Sequence, residues 1–209
     1  MNRGSSLSRL LVALVLVLHC KPSAHEQSGA VVAQKADTGR SGKGPTKMEA
    51  LASRSGFVVV LGFSSIGTVN GMYGTSVEVQ ARETRLPQTD TVAYGAWVRV
   101  TEAGSYEKKS ASYVDYDEID PLLRGIDFIT RADRSVTRLG SFQAEYRTQG
   151  DLTVSTFSSS SGEVLAGITS GEISSAQAFF PLSQLNLVRG LLARAKEVLD
   201  SIRPAQVSP

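Results

Sequence analysis

Apolar and polar residues alternate with period two along much of residues 57–180, and at two places the spacing lengthens to the three-to-four of a helix face. Val77, Val79 and Ala81 alternate with Glu78, Gln80 and Arg82, the mark of a half-buried strand. Residues 92–101 repeat it, with Ala96, Val98 and Val100 on one side and Trp97 and Arg99 on the other. A turn at residues 103–105 leads to a fourth strand over about 107–114. Ahead of these, residues 57–63 (FVVVLGF) form a β-branched apolar run with the length of a well-buried strand. Residues 67–74, which contain Asn70-Gly71, carry hairpin-turn chemistry because Asn and Gly tolerate positive φ. A helix follows, its stripe made by Ile119, Leu122, Leu123, Ile126 and Ile129. Asp117 or Asp120 is the expected N-cap, Pro121 suits the first turn, and the helix should stop near residues 131–133.

The order then recurs. Phe142, Ala144 and Tyr146 alternate, residues 149–151 turn, and Leu152, Val154 and Thr156 alternate again before a turn at 158–162. Residues 163–169 and 174–180 supply two more strands. Leu185, Val188, Leu191, Leu192, Ala195, Val198, Leu199 and Ile202 form the longest apolar stripe, with Ser183 as a natural cap and Pro204 as the stop. The two helices share an echo, LLRGI at 122–126 and LVRGL at 187–191. The pattern predicts an α+β domain of two antiparallel sheet-plus-helix modules, β4-α-β4-α, packed as one. The halves span about 57–131 and 140–203 within a single domain, 48–203, leaving 204–209 as a tail.

Two resemblances attach to this pattern. Residues 112–127 (SYVDYDEIDPLLRGID), followed by Ala144-Glu145-Tyr146-Arg147-Thr148, resemble a family of exported bacterial proteins of unknown function. In that family a (F/Y)-D-x-D-E-(I/L)-x-x-L segment leads into a helix; the resemblance covers most of the chain after Met48 and implies no activity. The β4-α-β4-α order is similar to the Whirly type of single-stranded nucleic-acid-binding fold in architecture only, because the basic Lys-Gly-Lys stretch of that group is missing.

The N-terminus changes where such a domain would work. Arg3 and Arg9 precede an unbroken apolar run at residues 10–18, which as a helix spans about 14 Å. A bilayer core is about 30 Å thick, so residues 1–24 read as a secretory signal rather than a membrane anchor. Cys20, the chain's one cysteine, sits where a lipoprotein cysteine would and is the lipidation candidate. His19 before it departs from the small residue that lipoprotein processing prefers, and cleavage after Ala24 would set Pro22 three positions back. Both cleavage readings stay open. Residues 25–47, rich in Gly, Ser, Ala and Lys, read as a flexible linker. The expected location is the periplasm or, through a lipid, the envelope membrane.

Charge and chemistry narrow the function. The signal holds three of the 22 basic residues and none of the 20 acidic ones, so the processed chain is near neutral and no nucleic-acid partner is expected. Both histidines, His19 and His25, precede the domain, and so does the cysteine. Ser-His-Asp and Cys-His catalysis and His- or thiolate-bound metals are therefore excluded from it. The S-x-x-K spacing at 105–108 sits in a hairpin, and residues 39–46 (GRSGKGPT) lack Walker spacing and a preceding strand. Asp115, Asp117, Glu118 and Asp120 crowd a helix start. Capping accounts for them; the alternatives are a weak cation site or a carboxylate-dependent hydrolase, paired with Glu145 or Glu163. Trp97, facing away from the apolar side of its strand, is either intersheet core or a surface aromatic for a sugar, peptide or partner. The resulting expectation is a non-enzymatic envelope domain, without a cofactor, that binds a protein or glycan through a sheet face or edge. A carboxylate- or cation-dependent envelope hydrolase is the first alternative, and single-strand nucleic-acid binding by architectural analogy the second.

Overall fold

A computed structural model describes residues 44–203 apart from Ser105 and Ile173. The signal, Cys20, linker residues 25–43 and the tail from Pro204 lie outside the described residues. The fold is α+β, with two four-stranded antiparallel sheets in meander order. The first holds β1 (Val60–Asn70), β2 (Ser76–Leu86), β3 (Thr91–Glu102) and β4 (Lys108–Asp115). It leads into helix α2 (Tyr116–Thr130), and a short helix α1 (Lys47–Ala52) precedes it. The second holds β5 (Gln143–Arg147), β6 (Leu152–Ser158), β7 (Val164–Ser170) and β8 (Ala176–Pro181), and leads into α3 (Leu182–Ile202).

One apolar core joins the halves. Val77, Val79, Ala81, Ala96, Val98 and Val100 face it from the first sheet, and Val154, Ala166, Ile168, Ala178 and Phe180 from the second. β3 and β4 meet β7 and β8 across it. The helices cross over between the modules. α3, which ends the second module, lies mainly along β1 and β2 of the first, while α2 reaches β5 and β6 of the second as well as β3 and β4. The buried Leu185, Val188, Leu192 and Leu199 of α3 therefore cover a sheet built from the other half of the chain. Burying each leucine stabilises by about 2 kcal/mol. Across the helix pair, Arg189 grips Asp127 with two hydrogen bonds, 2.6 and 2.8 Å. Gly125 is the close-approach point of α2: a Cβ there would enter the Tyr146 ring of β5.

Several expectations are corrected. Residues 57–63 are not a well-buried strand. Pairing begins at Val60 and continues through Asn70, at the sheet edge, with Val58, Val60, Leu61 and Phe63 exposed. Length and β-branching identify a strand but not its place in the sheet. The turn lies within residues 67–74 as expected, but its positive-φ positions are Tyr73 (φ 57°) and Gly74 (φ 73°), and Asn70 still belongs to β1. The N-cap of α2 is Asp115, and Pro121 lies inside the helix rather than in its first turn. α3 follows β8 directly, with Pro181 at its N-cap and no side-chain cap, so Ser183 is already helical. Ile202 ends the apolar stripe half exposed. Nothing in the apolar pattern marks α1. Thr46 and Glu49 close a capping box around its first turn, and Thr46 and Met48 are fully buried, so residues 44–47 belong to the fold rather than to a linker.

Candidate functional site

The four clustered carboxylates begin from one helix start and reach three different elements, α1, the β5–β6 turn and α3. Asp115, the last residue of β4, is buried, and its carboxylate turns away from α2. It accepts hydrogen bonds from the backbone N–H groups of Lys47 (2.7 Å) and Met48 (3.2 Å), the orphan donors at the start of α1. Asp117 meets the Lys47 ammonium at 2.7 Å. That hydrogen bond holds the Asp117 carboxyl below the usual carboxylate range and raises the lysine. Glu118 accepts from the backbone N–H of Gln149 at 2.8 Å, in the β5–β6 turn. The Gln149 amide in turn donates to the carbonyls of Gly44 and Pro45, both at 3.1 Å. Asp120 faces Lys196 of α3 at 3.7 Å.

Around Lys196 the ends of α2 and α3 are tied together. Its ammonium lies 2.9 Å from Asp200 and 3.2 Å from the Tyr116 hydroxyl, which itself bonds to Asp200. The Asp200 hydrogen bond leads the causes that raise the Lys196 pKa. The Arg203 guanidinium stacks 3.5 Å from the Tyr116 ring centroid. The acidic segment thus fastens α1, the β5–β6 turn and α3 to the start of α2. Asp115 does cap a helix, but α1 rather than its own. Among the described residues no three His, Cys, Asp or Glu side chains gather where they could hold a metal ion.

Trp97 lies on the face of the first sheet opposite the core, which corrects the intersheet alternative. Cross-strand register places Gln80 opposite Trp97 and Trp97 opposite Tyr113. The Arg82 guanidinium roofs the indole at 3.8 Å from its centroid and donates to Gln80 (2.8 Å) and the Tyr113 hydroxyl (3.2 Å). Arg99 flanks the ring at 5.3 Å while paired with Glu78. The ring is half buried under its own guanidinium cover, so what this face offers outward is the cation–π ladder rather than a bare stacking platform.

An exposed apolar strand edge adjoins it. β1 is hydrogen-bonded to β2 alone, and its other edge has no strand beside it among the described residues. Phe63 is 68% exposed, Val58 59%, and Val60 and Leu61 47% each. Phe63 stands opposite Arg82 and Leu61 opposite Thr84, so both project from the face that carries Trp97. Edge strands are ordinarily blunted by charge, Pro or a bulge. Here residues 55–77 contain no charged side chain and no Pro, and the one irregularity lies between Ser65 and Gly67, past the apolar stretch. Sequence reasoning missed this site because it read the run as interior. The charge-free stretch was the signal that could have marked it. Elsewhere a concavity of about 510 Å³ opens between α2 and α3 and is lined by Arg124, Asp127, Phe128, Thr130, Arg131 and Asn186. Its one acid, Asp127, is already engaged by Arg189.

Comparison with family models, with curated proteins and with solved structures finds no match to this chain.

Proposed function

We propose that the chain is a non-enzymatic interaction domain of the cell envelope, exported by its N-terminal segment, which recognises a partner through the β1 edge. The observation that carries this reading is the coincidence of a strand edge unpaired among the described residues with exposed Val58, Val60, Leu61 and Phe63. Strand addition takes its affinity from main-chain hydrogen bonds and its specificity from alternate side chains, and β1 presents both. The acidic segment, whose carboxylates are engaged in holding elements together, supports a binding role over carboxylate chemistry.

The test is co-purification of the full chain from its native envelope, with mass spectrometry, comparing the wild type with Phe63→Lys. The expected result is a specific partner, this chain itself included, recovered with the wild type and lost from the variant. Equal recovery with both chains, or none with either, refutes the edge as the recognition surface. Intact mass of the same sample reads the export step. A chain that retains residues 1–24 overturns that part, and an added lipid mass would fix Cys20 as an anchor.

A further inference from the structure

We infer that the partner of the β1 edge is a second copy of this chain, its β1 running antiparallel to the first across a twofold axis near Gly62. The inference rests on the edge reading above and deepens it by naming the occupant.

A twofold axis on an antiparallel edge sets residue i of one copy against residue j of the other and j against i, so the strand must be complementary to itself. Like charges directly opposite destabilise a strand pair. β1 brings none, because residues 55–77 carry no charge. On β2, Arg85 is paired with Glu83 at 3.1 Å, and Arg82 is held by hydrogen bonds to Gln80 and Tyr113 within its own sheet. A foreign strand would have no charge on this edge by which to be selected. The apolar pattern of β1 itself is the complement that the chain supplies.

The register follows from which residues are exposed. With the axis at Gly62, Leu61 of one protomer stands opposite Phe63 of the other, and the reverse pair repeats across the axis. Val60 then faces Ser64. Leu61 and Phe63 project from the same face, so the four side chains form one apolar cluster beside the two Arg82–Trp97 stacks. Gly62 at the centre adds no side chain, and a Cβ there would meet only the Glu83 Cβ, at 3.8 Å. The two four-stranded sheets become one sheet of eight, and neither copy keeps an open β1 edge. A pairing this short belongs at the small end of specific interfaces, which begin near ~1,200 Å². The dimer should therefore dissociate on dilution.

The experiment is sedimentation velocity of the full chain over a dilution series, with amide hydrogen exchange at the two ends of the series. Phe63→Lys and Leu61→Lys are measured separately. Both positions are exposed, and circular dichroism confirms that each variant is folded. The wild type is expected to shift from monomer to dimer with concentration, with β1 amides slowing in step. Each lysine variant should weaken association at least about tenfold, since it places two charged groups inside the apolar cluster beside the axis. A wild type that stays monomeric, with β1 exchange independent of concentration, overturns the second copy as partner. If that monomer still loses a co-purifying partner on Phe63→Lys, the edge reading survives and only the occupant is wrong. A dimer that persists in both variants, without β1 protection, overturns the strand-pairing geometry.

Discussion

Replacing Asp115 by alanine is the sharpest probe of what the acidic segment does. The buried carboxylate holds two backbone N–H groups of α1 that have no partner within the helix. A hydrogen bond to a charged group contributes about 1.5–3 kcal/mol net. The Met48 bond is long at 3.2 Å, and the Thr46–Glu49 capping box survives the change. The lower end applies, for a loss of about 3 kcal/mol in total. For a domain of roughly 160 residues each kcal/mol moves Tm by about 2–4 °C, so Tm should fall by about 6–12 °C. Asp115→Asn keeps one acceptor oxygen and should lose about 1 kcal/mol. Asp117→Ala, which breaks only an ion pair between side chains each 66% exposed, should lose no more than about 0.5 kcal/mol. Urea unfolding with linear extrapolation measures all three on one scale. The reasoning is refuted if Asp115→Ala loses under about 1 kcal/mol, or if Asp117→Ala matches it.

The echoed glycines should respond in opposite directions. Gly125→Ala drives a Cβ into the Tyr146 ring and should destabilise by about 1–3 kcal/mol. Gly190→Ala meets open space inside α3 and should stabilise by about 1 kcal/mol through helix propensity, both read by thermal unfolding. Asp127 has its pKa depressed chiefly by the Arg189 hydrogen bonds, so its stabilising contribution is present above the ordinary aspartate value of about 3.9 and is lost as pH falls through the folded-state pKa. Asp127→Asn should therefore flatten the acid limb of a Tm-versus-pH profile and leave its shape near neutrality unchanged. Residues 44–138 and 139–209, produced separately, should each lack cooperative unfolding by circular dichroism and regain it when mixed, because each half is covered by the other's helix.

What could be read from the chain was what period and turn chemistry encode locally. Val77, Val79, Ala81, Val98 and Val100 showed their buried face by alternation, and the stripe of α3 foretold Leu185, Val188, Leu192 and Leu199 as core. Partnership at a distance was not readable. The apolar run that opens β1 says nothing about whether a neighbour lies on both sides, so an edge strand passed for an interior one. Asp115 stands two residues from Asp117 in sequence, yet its partners, Lys47 and Met48, lie 68 and 67 positions away. Arg82 and Trp97 looked unrelated until strand pairing placed one over the other. Six residues of α1 held by a capping box were too short to register as a periodic stripe.

The crossing of α3 onto β1 and β2 sets an order of events on the chain as it is made. The first sheet leaves the ribosome long before the helix that must cover its apolar side, and β1 is separated from α3 by more than half of the described sequence. Contacts between remote segments are the slow ones to form. The nascent chain therefore has no closed core to fold into until its last helix emerges. Until α3 arrives, the apolar side of the first sheet stays uncovered, which leaves the half-made chain open to aggregation rather than committed to a fold.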